Sequence, residues 1–423
     1  MPHLPSSAVF ALAIAAALPA QRPTPTAAQI ERADAMHGRL LTIDTHKDID
    51  PKLAPDALPD DPAARAEFVQ RFDPSVRGKQ KVDFVKMRAG GYDAAFFVVF
   101  VEQRQLQEAA YRRALAEANA KFDAIERMAR KHGDTIAIAR SADDVERLHA
   151  AGSLIACIGI ENGYPMGLDV ANVATFHARG ARYMSLTHNG HTQLGDSHTP
   201  AEPLHGGLSE LGRDAIAAMN RVGIMVDVSH ASRTTMLQAV DHSRAPVIAS
   251  HSGARAVCDH TRNLDDEQLR ALAAKGGVVQ CVALADFVKT DAARAAAVKA
   301  WMTECGIGGR DDDSTPEQRE QRWRTFQDGL PALDAKFPKA DVHDFVDHID
   351  HVVKTVGIDH VGIGSDFDGG GGLLGWNDAS ESRNVTRELV RRGYDEAQIQ
   401  KIWGGNLLRV WRAVEQAAAA KPR

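Results

Sequence analysis

The chain has 423 residues, a hydrophobic fraction of 44% and a formal charge of −6 at pH 7. That is apolar material for a sizeable core, with too mild a charge to support a nucleic-acid or anionic-membrane partner. The length fits a single α/β barrel as well as two or three smaller domains. Four cysteines, Cys157, Cys258, Cys281 and Cys305, follow no zinc-binding spacing. Cys157 and Cys281 lie in apolar runs and read as buried thiols, and Cys258–Cys305 is the one disulfide that the spacing leaves open.

Residues 8–20 form an apolar run the length of a signal-peptide core, too short to span a bilayer and ending in small residues. Residues 1–20 are therefore expected to be an export signal, although His3 stands where Lys or Arg is usual, and the mature protein is expected outside the cytoplasm, periplasmic or extracellular. A retained anchor is the rival reading. Residues 21–38, opening with a Pro/Thr-rich stretch, read as a linker. The body, 39–415, alternates apolar runs with helical patterns, and 416–423 is a short tail. Strands are predicted at 40–44, 94–101, 155–160, 182–187, 224–229, 246–250, 277–284 and 360–365. Their near-continuous apolar character suits strands covered on both faces. Helical spacing is read at 103–131, 142–150 (with a capping signal at Ser141), 209–222, 231–241, 265–275, 341–356 and 395–417. Eight such alternations predict a (β/α)8 barrel over the alternative of a doubly wound open sheet. Residues 301–340 are a charged insertion whose run Asp311–Asp313 reads as a solvated loop, and Gly369–Gly372 reads as a flexible loop without a phosphate-binding motif.

The strand ends carry the chemistry. Strand 1 ends in Asp44-x-His46-x-Asp48, strand 3 in Glu161, strand 4 in His188, strand 5 in Asp227-x-x-His230, strand 6 in His251 followed by Arg262, and strand 8 in Asp366-x-Asp368. His46 and Asp48, two apart on an extended strand, share one face. Each group alone has an ordinary explanation: a lone histidine is structural, Glu161 pairs with Arg182, Asp366 caps a helix. Together, at the barrel end where active sites form, they point to a shared metal site. Imidazole with carboxylate suits zinc and its neighbours. His46, Asp48, Glu161, His230 and His251 make five ligands, more than one catalytic zinc needs; with Glu161 bridging, two ions receive three each. Such a pair, roughly 3.5–4 Å apart, makes hydroxide available near neutral pH for attack on a carbonyl or a phosphoryl group. Spacing does not choose between those targets.

The motifs DTHKD (44–48), VDFVKMRAGG (82–91), GIENG (159–163), YMSLTHN (183–189), VDVSH (226–230), SHSGARAV (250–257), RNLDD (262–266), HVGIGSDFDGG (360–370) and GGNLLRV (404–410) resemble the renal or membrane dipeptidases, binuclear zinc peptidases of the metal-dependent amidohydrolase group. The resemblance covers about 40–412. It implies one zinc on His46, Asp48 and Glu161 and a second on Glu161, His230 and His251. It implies that His188 stabilises the oxyanion, that Arg262 holds the substrate's terminal carboxylate, that Asp366 shuttles the proton, and that Asn406 shapes the site floor. The activity implied is hydrolysis of dipeptides, L-Xaa-D-Xaa included, by a metal-bridging hydroxide, in a protein compatible with a homodimer. The chain departs from the animal enzymes in its tail, 417–423, which is not hydrophobic enough for lipid-anchor processing, so no lipid anchor is expected. The weighed alternatives are an amidohydrolase acting on N-acyl amino acids or a lactam, and a catalytically silent binding barrel. Asp44 is left to strand capping, Asp368 to structure, and His191, His198 and His205 to loop structure. Lys47, often uncharged in relatives, is expected to point away from the metals.

Overall fold

Nine short parallel strands organise the computed structural model, which describes residues 23–307 and 314–420. They are β1 (Ile43–Asp48), β2 (Ala94–Phe100), β3 (Ile136–Ile138), β4 (Leu154–Glu161), β5 (Ala181–Ser185), β6 (Met225–Asp227), β7 (Ile248–Ser252), β8 (Val278–Val282) and β9 (Val361–Gly364). Neighbours run β1-β2-β4-β5-β6-β7-β8-β9. The ring closes just past β9, where the Asp366 N–H donates to His46 O (3.0 Å) and the Asp48 N–H to Phe367 O (2.9 Å). These eight strands make the expected barrel. β3 is additional: it pairs with the first residues of β4, Ile136 with Leu154 and Ile138 with Ala156, before β5 takes over at Ile158. Three residues are too few to leave a periodic signal in sequence.

Strand β2 shows why a barrel strand reads as an unbroken apolar run. Ala94, Phe96 and Val98 belong to the core inside the barrel, and Ala95, Phe97 and Val99 to the layer beneath the helices. The inner core closes one end: Trp411 of the last helix meets Phe96 (ring centroids 5.7 Å apart), and Phe96 meets Tyr183 (5.1 Å). Helix Glu108–Lys131 buries Ala114, Ala118, Phe122 and Ile125 at helical spacing. Ser141 caps Ala142–Ala150 by accepting the Asp144 N–H at 3.0 Å, as its motif predicts.

Several expectations change. The linker at 21–38 instead contains a helix, Ala27–His37, opened by a capping box between Thr26 and Gln29. It docks on helix Arg383–Arg391 through the Asp34–Arg387 ion pair (2.6 Å) and the buried His37. The Thr-x-x-Gln pattern is the signal that the preceding prolines obscure. The predicted helix 395–417 is three pieces: Glu396–Gln400, a π-turn at Lys401–Gly405, and Asn406–Ala419. All four cysteines are buried and free, so Cys258–Cys305 is not a disulfide. The insertion is largely helical, Ala292–Glu304 and Pro316–Lys336. Its second helix reaches the loops that follow β1 and β2, where Glu320 accepts from Lys52 Nζ (2.9 Å) and Arg319 lies 3.8 Å from Glu102. The run Asp311–Asp313, residues 1–20 with their proposed signal, and the last three residues of the tail lie outside the described residues. No helix among the described residues is long and apolar enough to cross a membrane.

Candidate metal centre

Six strands, β1, β4, β5, β6, β7 and β9, deliver donor atoms at or just past their ends to one end of the barrel. Glu161, the last residue of β4, stands at the middle. Its Oε1 lies 3.0 Å from His230 Nε2, 3.3 Å from His251 Nε2 and 3.8 Å from His188 Nε2, and its Oε2 lies 3.4 Å from His46 Nε2. His46 Nε2 is also 3.4 Å from Asp48 Oδ2. Three overlapping groups keep their donor atoms within 4.8 Å of one another: His46, Glu161 and His251; Glu161, His188 and His230; His46, Asp48 and Asp366. The structure therefore brings all five predicted metal ligands together, with His188 and Asp366 among them.

Local backbone geometry explains the convergence. The β1–β2 register shifts between Asp44 and Lys47. This breaks the strict alternation that would put Asp44 on the face of His46 and Asp48. Asp44 Oδ1 instead accepts the N–H groups of His46 (2.9 Å) and Ser365 (2.8 Å), tying β1 to the segment after β9. Lys47 points away, as expected: it is fully buried, 3.3 Å from Asp368 Oδ2 and over the Phe97 ring of the outer layer. Asp368 is thereby structural, and its Oδ1 accepts the Lys81 N–H at 2.7 Å. Five non-glycine residues among those described have positive φ, and four flank this centre: Asn162 (75°), His230 (65°), Asp366 (60°) and Asp368 (65°). Strain concentrated this way is characteristic of sites that the surrounding structure over-determines. Gly369 is required here, because a Cβ would come within 2.3 Å of both Asp48 Oδ2 and Asp366 Oδ1. The glycine run is thus a tight turn against two carboxylates rather than a flexible loop.

The second nitrogen of each central imidazole faces an oxygen. His46 Nδ1 is 3.3 Å from Tyr183 OH, His230 Nδ1 is 3.0 Å from Asn189 Oδ1, and His251 Nδ1 is 2.8 Å from Ser250 Oγ, which itself donates to Asp227 Oδ2 at 2.6 Å. Their Nε2 atoms are left facing Glu161; His230 Nε2 and His251 Nε2 are only 3.0 Å apart, and His46 Nε2 has no hydrogen-bond partner. Outer partners that orient ligating histidines have this form. Crowded buried lone pairs and carboxylates need positive charge, and divalent cations fit the donor set.

Electrostatics agree. Burial alone would raise Glu161, but the imidazoles of His46 and His188 hold it well below the usual carboxylate range. Burial would lower His46, but Glu161 and Asp48 outweigh it and hold it well above the usual value. Asp366 is pushed well up by burial and by the charges of Asp48 and Glu161. Arg262 is brought down to about 10 by burial, against Glu161 and Asp366. It is only 2% exposed, and its NH1 donates to Ser252 Oγ (2.9 Å) while Nε and NH2 have no partner.

Asn406 does not belong to this site. Its side chain is buried and donates to Ile358 O (2.7 Å) and Val361 O (2.8 Å), at the start of β9 and the opposite end of the barrel. An asparagine in a motif reads alike whether it meets substrate or clamps two carbonyls. Conversely, Tyr183, Asn189, Asp227 and Ser250 were not foreseen as supports. The Tyr183 ring crosses β4 at Gly159, where a Cβ would lie 2.1 Å from it. Asp227 had a legible signal: like Asp44, it accepts the N–H two residues on, Ser229 at 3.0 Å.

The "Membrane dipeptidase (Peptidase family M19)" family model matches residues 30–423. Dipeptidase tcpJ of Claviceps purpurea is 32% identical over 356 residues, 83% of this chain and 73% of that one. The crystal structure of the probable dipeptidase PvdM from Pseudomonas aeruginosa superposes with a TM-score of 0.78 at 30% identity, covering 92% of this chain and 99% of that one. A metallo peptidase from Rhodobacter sphaeroides, solved with a phosphinate mimic of L-Ala-D-Ala, shares the fold at TM-score 0.66 and 24% identity over 88% of this chain and 99% of that one. Seven clustered donors in a barrel matched over nearly its whole length leave one conclusion: the chain belongs to the membrane dipeptidase family, peptidase family M19, and is a metal-dependent hydrolase of dipeptides.

Proposed function

We propose that the protein is an exported zinc dipeptidase that cleaves dipeptides with both ends free, including those with a D-residue at the C-terminal position. His46, Asp48 and Glu161 would hold one zinc ion, and Glu161, His230 and His251 a second. Bound there, the pair would supply the positive charge that lowers the pKa of a water and polarises the scissile carbonyl. Arg262 carries the reading: a buried guanidinium with two unpartnered nitrogens beside the donor cluster suits one carboxylate, the substrate's C-terminus. His188, 3.8 Å from Glu161, would donate to the carbonyl oxygen as negative charge develops on it. Asp366 would take a proton from the attacking water and return it to the leaving nitrogen. The mimic held by the Rhodobacter sphaeroides peptidase supports tolerance of a C-terminal D-residue, and the apolar run at 8–20 supports export. The test is to count metals in the purified protein and assay L,L- and L,D-dipeptides beside their N-acetylated forms. Two zinc ions per chain and cleavage restricted to free dipeptides are expected. Two bound zinc ions without dipeptide cleavage would overturn the proposal, and equal cleavage of N-acetylated substrates would favour an N-acyl amidohydrolase.

A further inference from the structure

The ring of strands sets how a dipeptide lies across the site. Arg262 follows β7 and Phe100 ends β2, four places apart in a ring of eight, so they stand on opposite sides of the mouth. Glu161 on β4 and His188 beyond β5 occupy the arc between them. A substrate with its C-terminal carboxylate at Arg262 and its scissile carbonyl at His188 therefore directs its N-terminal residue toward β2. Contacts follow the same line: the Phe100 ring lies 4.6 Å from the His188 ring, and Lys121 Nζ lies 5.4 Å from the centre of the Phe100 ring.

Lys121 differs from most of the cations on its helix, Arg113 being the other without a hydrogen bond or ion pair among the described residues. On the same helix, Arg112, Arg127, Arg130 and Lys131 each donate to a protein oxygen. Lys121 is half-buried and has no hydrogen bond or ion pair among the described residues. Burial lowers the Lys121 ammonium from its usual value, and the charges that offset this are Asp48, then Asp50, Glu161 and Glu117. Asp48 and Glu161 belong to the donor cluster, and Asp50 Oδ1 accepts the Lys52 N–H at 2.7 Å. With Asp48 and Glu161 committed to the donor cluster, Asp50 and Glu117 are the carboxylates left to Lys121, and its ammonium stands beside the Phe100 ring without a hydrogen-bonded partner of its own among the described residues.

We propose that Phe100 and Lys121 form the subsite for the substrate's N-terminal side chain and that Lys121 selects an anionic one, aspartate or glutamate at the first position. This rests on the dipeptidase reading. The test measures kcat/KM of the zinc-loaded full chain on L-Glu-L-Ala, L-Ala-L-Ala and L-Lys-L-Ala, in wild type, Lys121→Met, Lys121→Arg and Lys121→Glu. Wild type should favour Glu-Ala over Lys-Ala by roughly tenfold or more, the scale of one desolvated charge pair. Lys121→Arg should keep that ratio, Lys121→Met should bring it toward one, and Lys121→Glu should invert it. A loss of folding alone would lower all three substrates together and leave the ratio where it was. A ratio near one in wild type, or an unchanged ratio in Lys121→Met, overturns the subsite while Ala-Ala turnover still upholds the dipeptidase. Failure on all three substrates overturns that reading first.

Discussion

His37 and His46 stand nine positions apart, both essentially buried, and differ in what they leave unspent. At the closed end of the barrel, His37 uses both ring nitrogens. Nδ1 takes the Thr386 hydroxyl at 2.7 Å, and Nε2 donates to the carbonyls of Gly90 and Gly91 at 2.9 Å. At the open end, His46 has Tyr183 beside Nδ1 and only other ligand-type atoms near Nε2. The closed end pairs the side chains of His37 and Asn406 and packs Trp411 on Phe96, with the Trp411 Nε1 donor left over. The open end collects left-handed backbone, an Arg262 with two idle nitrogens and crowded lone pairs. A buried histidine is thus read as structural or ligating by the account of its second nitrogen, not by its burial.

The largest expected effect tests the open end. Asp366→Asn keeps the volume and removes the base, so kcat should fall by about 10²-fold or more, within the range of general acid–base catalysis. Metal content should stay near wild type, and near-normal turnover would remove Asp366 from its assigned role.

The next effect tests the closed end. Burial, with the charge of Arg383, pulls His37 down to about 4, below the ~6.5 of an unfolded histidine. The unfolded chain therefore binds this proton first, and stability falls as pH drops from 6.5 toward 4. The loss is on the order of 3 kcal/mol once both states are protonated, and above pH 6.5 the residue contributes no pH dependence. Urea midpoints at pH 7.0, 5.5 and 4.5, compared between wild type and His37→Gln, should show a shallower acid loss in the variant. Parallel curves would mean that folding leaves the His37 pKa unshifted and the lowered value is overturned.

Asn406→Ala is the smallest effect and separates the two ends directly. Losing two buried donations should cost about 1–3 kcal/mol of stability. KM for a dipeptide should stay within about twofold, because a group at the far end of the barrel contributes nothing to substrate binding. A raised KM with unchanged melting would return Asn406 to the site floor.

The residue pattern made the barrel and the metal ligands legible for one reason. In a parallel barrel the strands are continuous apolar runs, and catalytic groups sit immediately after them. His46, Asp48, Glu161, His230, His251 and Asp366 are each found by walking off the end of such a run. Helix Ala27–His37 was missed although its Thr26–Gln29 capping box was present, because nearby prolines outweighed it in the reading.

Sequence by itself determined the strand order of ligands, the Ser141-capped helix and the types of donor, since these depend on local periodicity and chemistry. Tertiary structure alone decided which atoms are left over. The register shift in β1 turned Asp44 out of the site, and β9 placed Asn406 at the wrong end for substrate. The Tyr183 ring needed Gly159 on a neighbouring strand, and Lys121 came to face Phe100 from a helix. Each depends on two segments meeting across the barrel, and the spacing within one segment carries no information about the atom it meets in another.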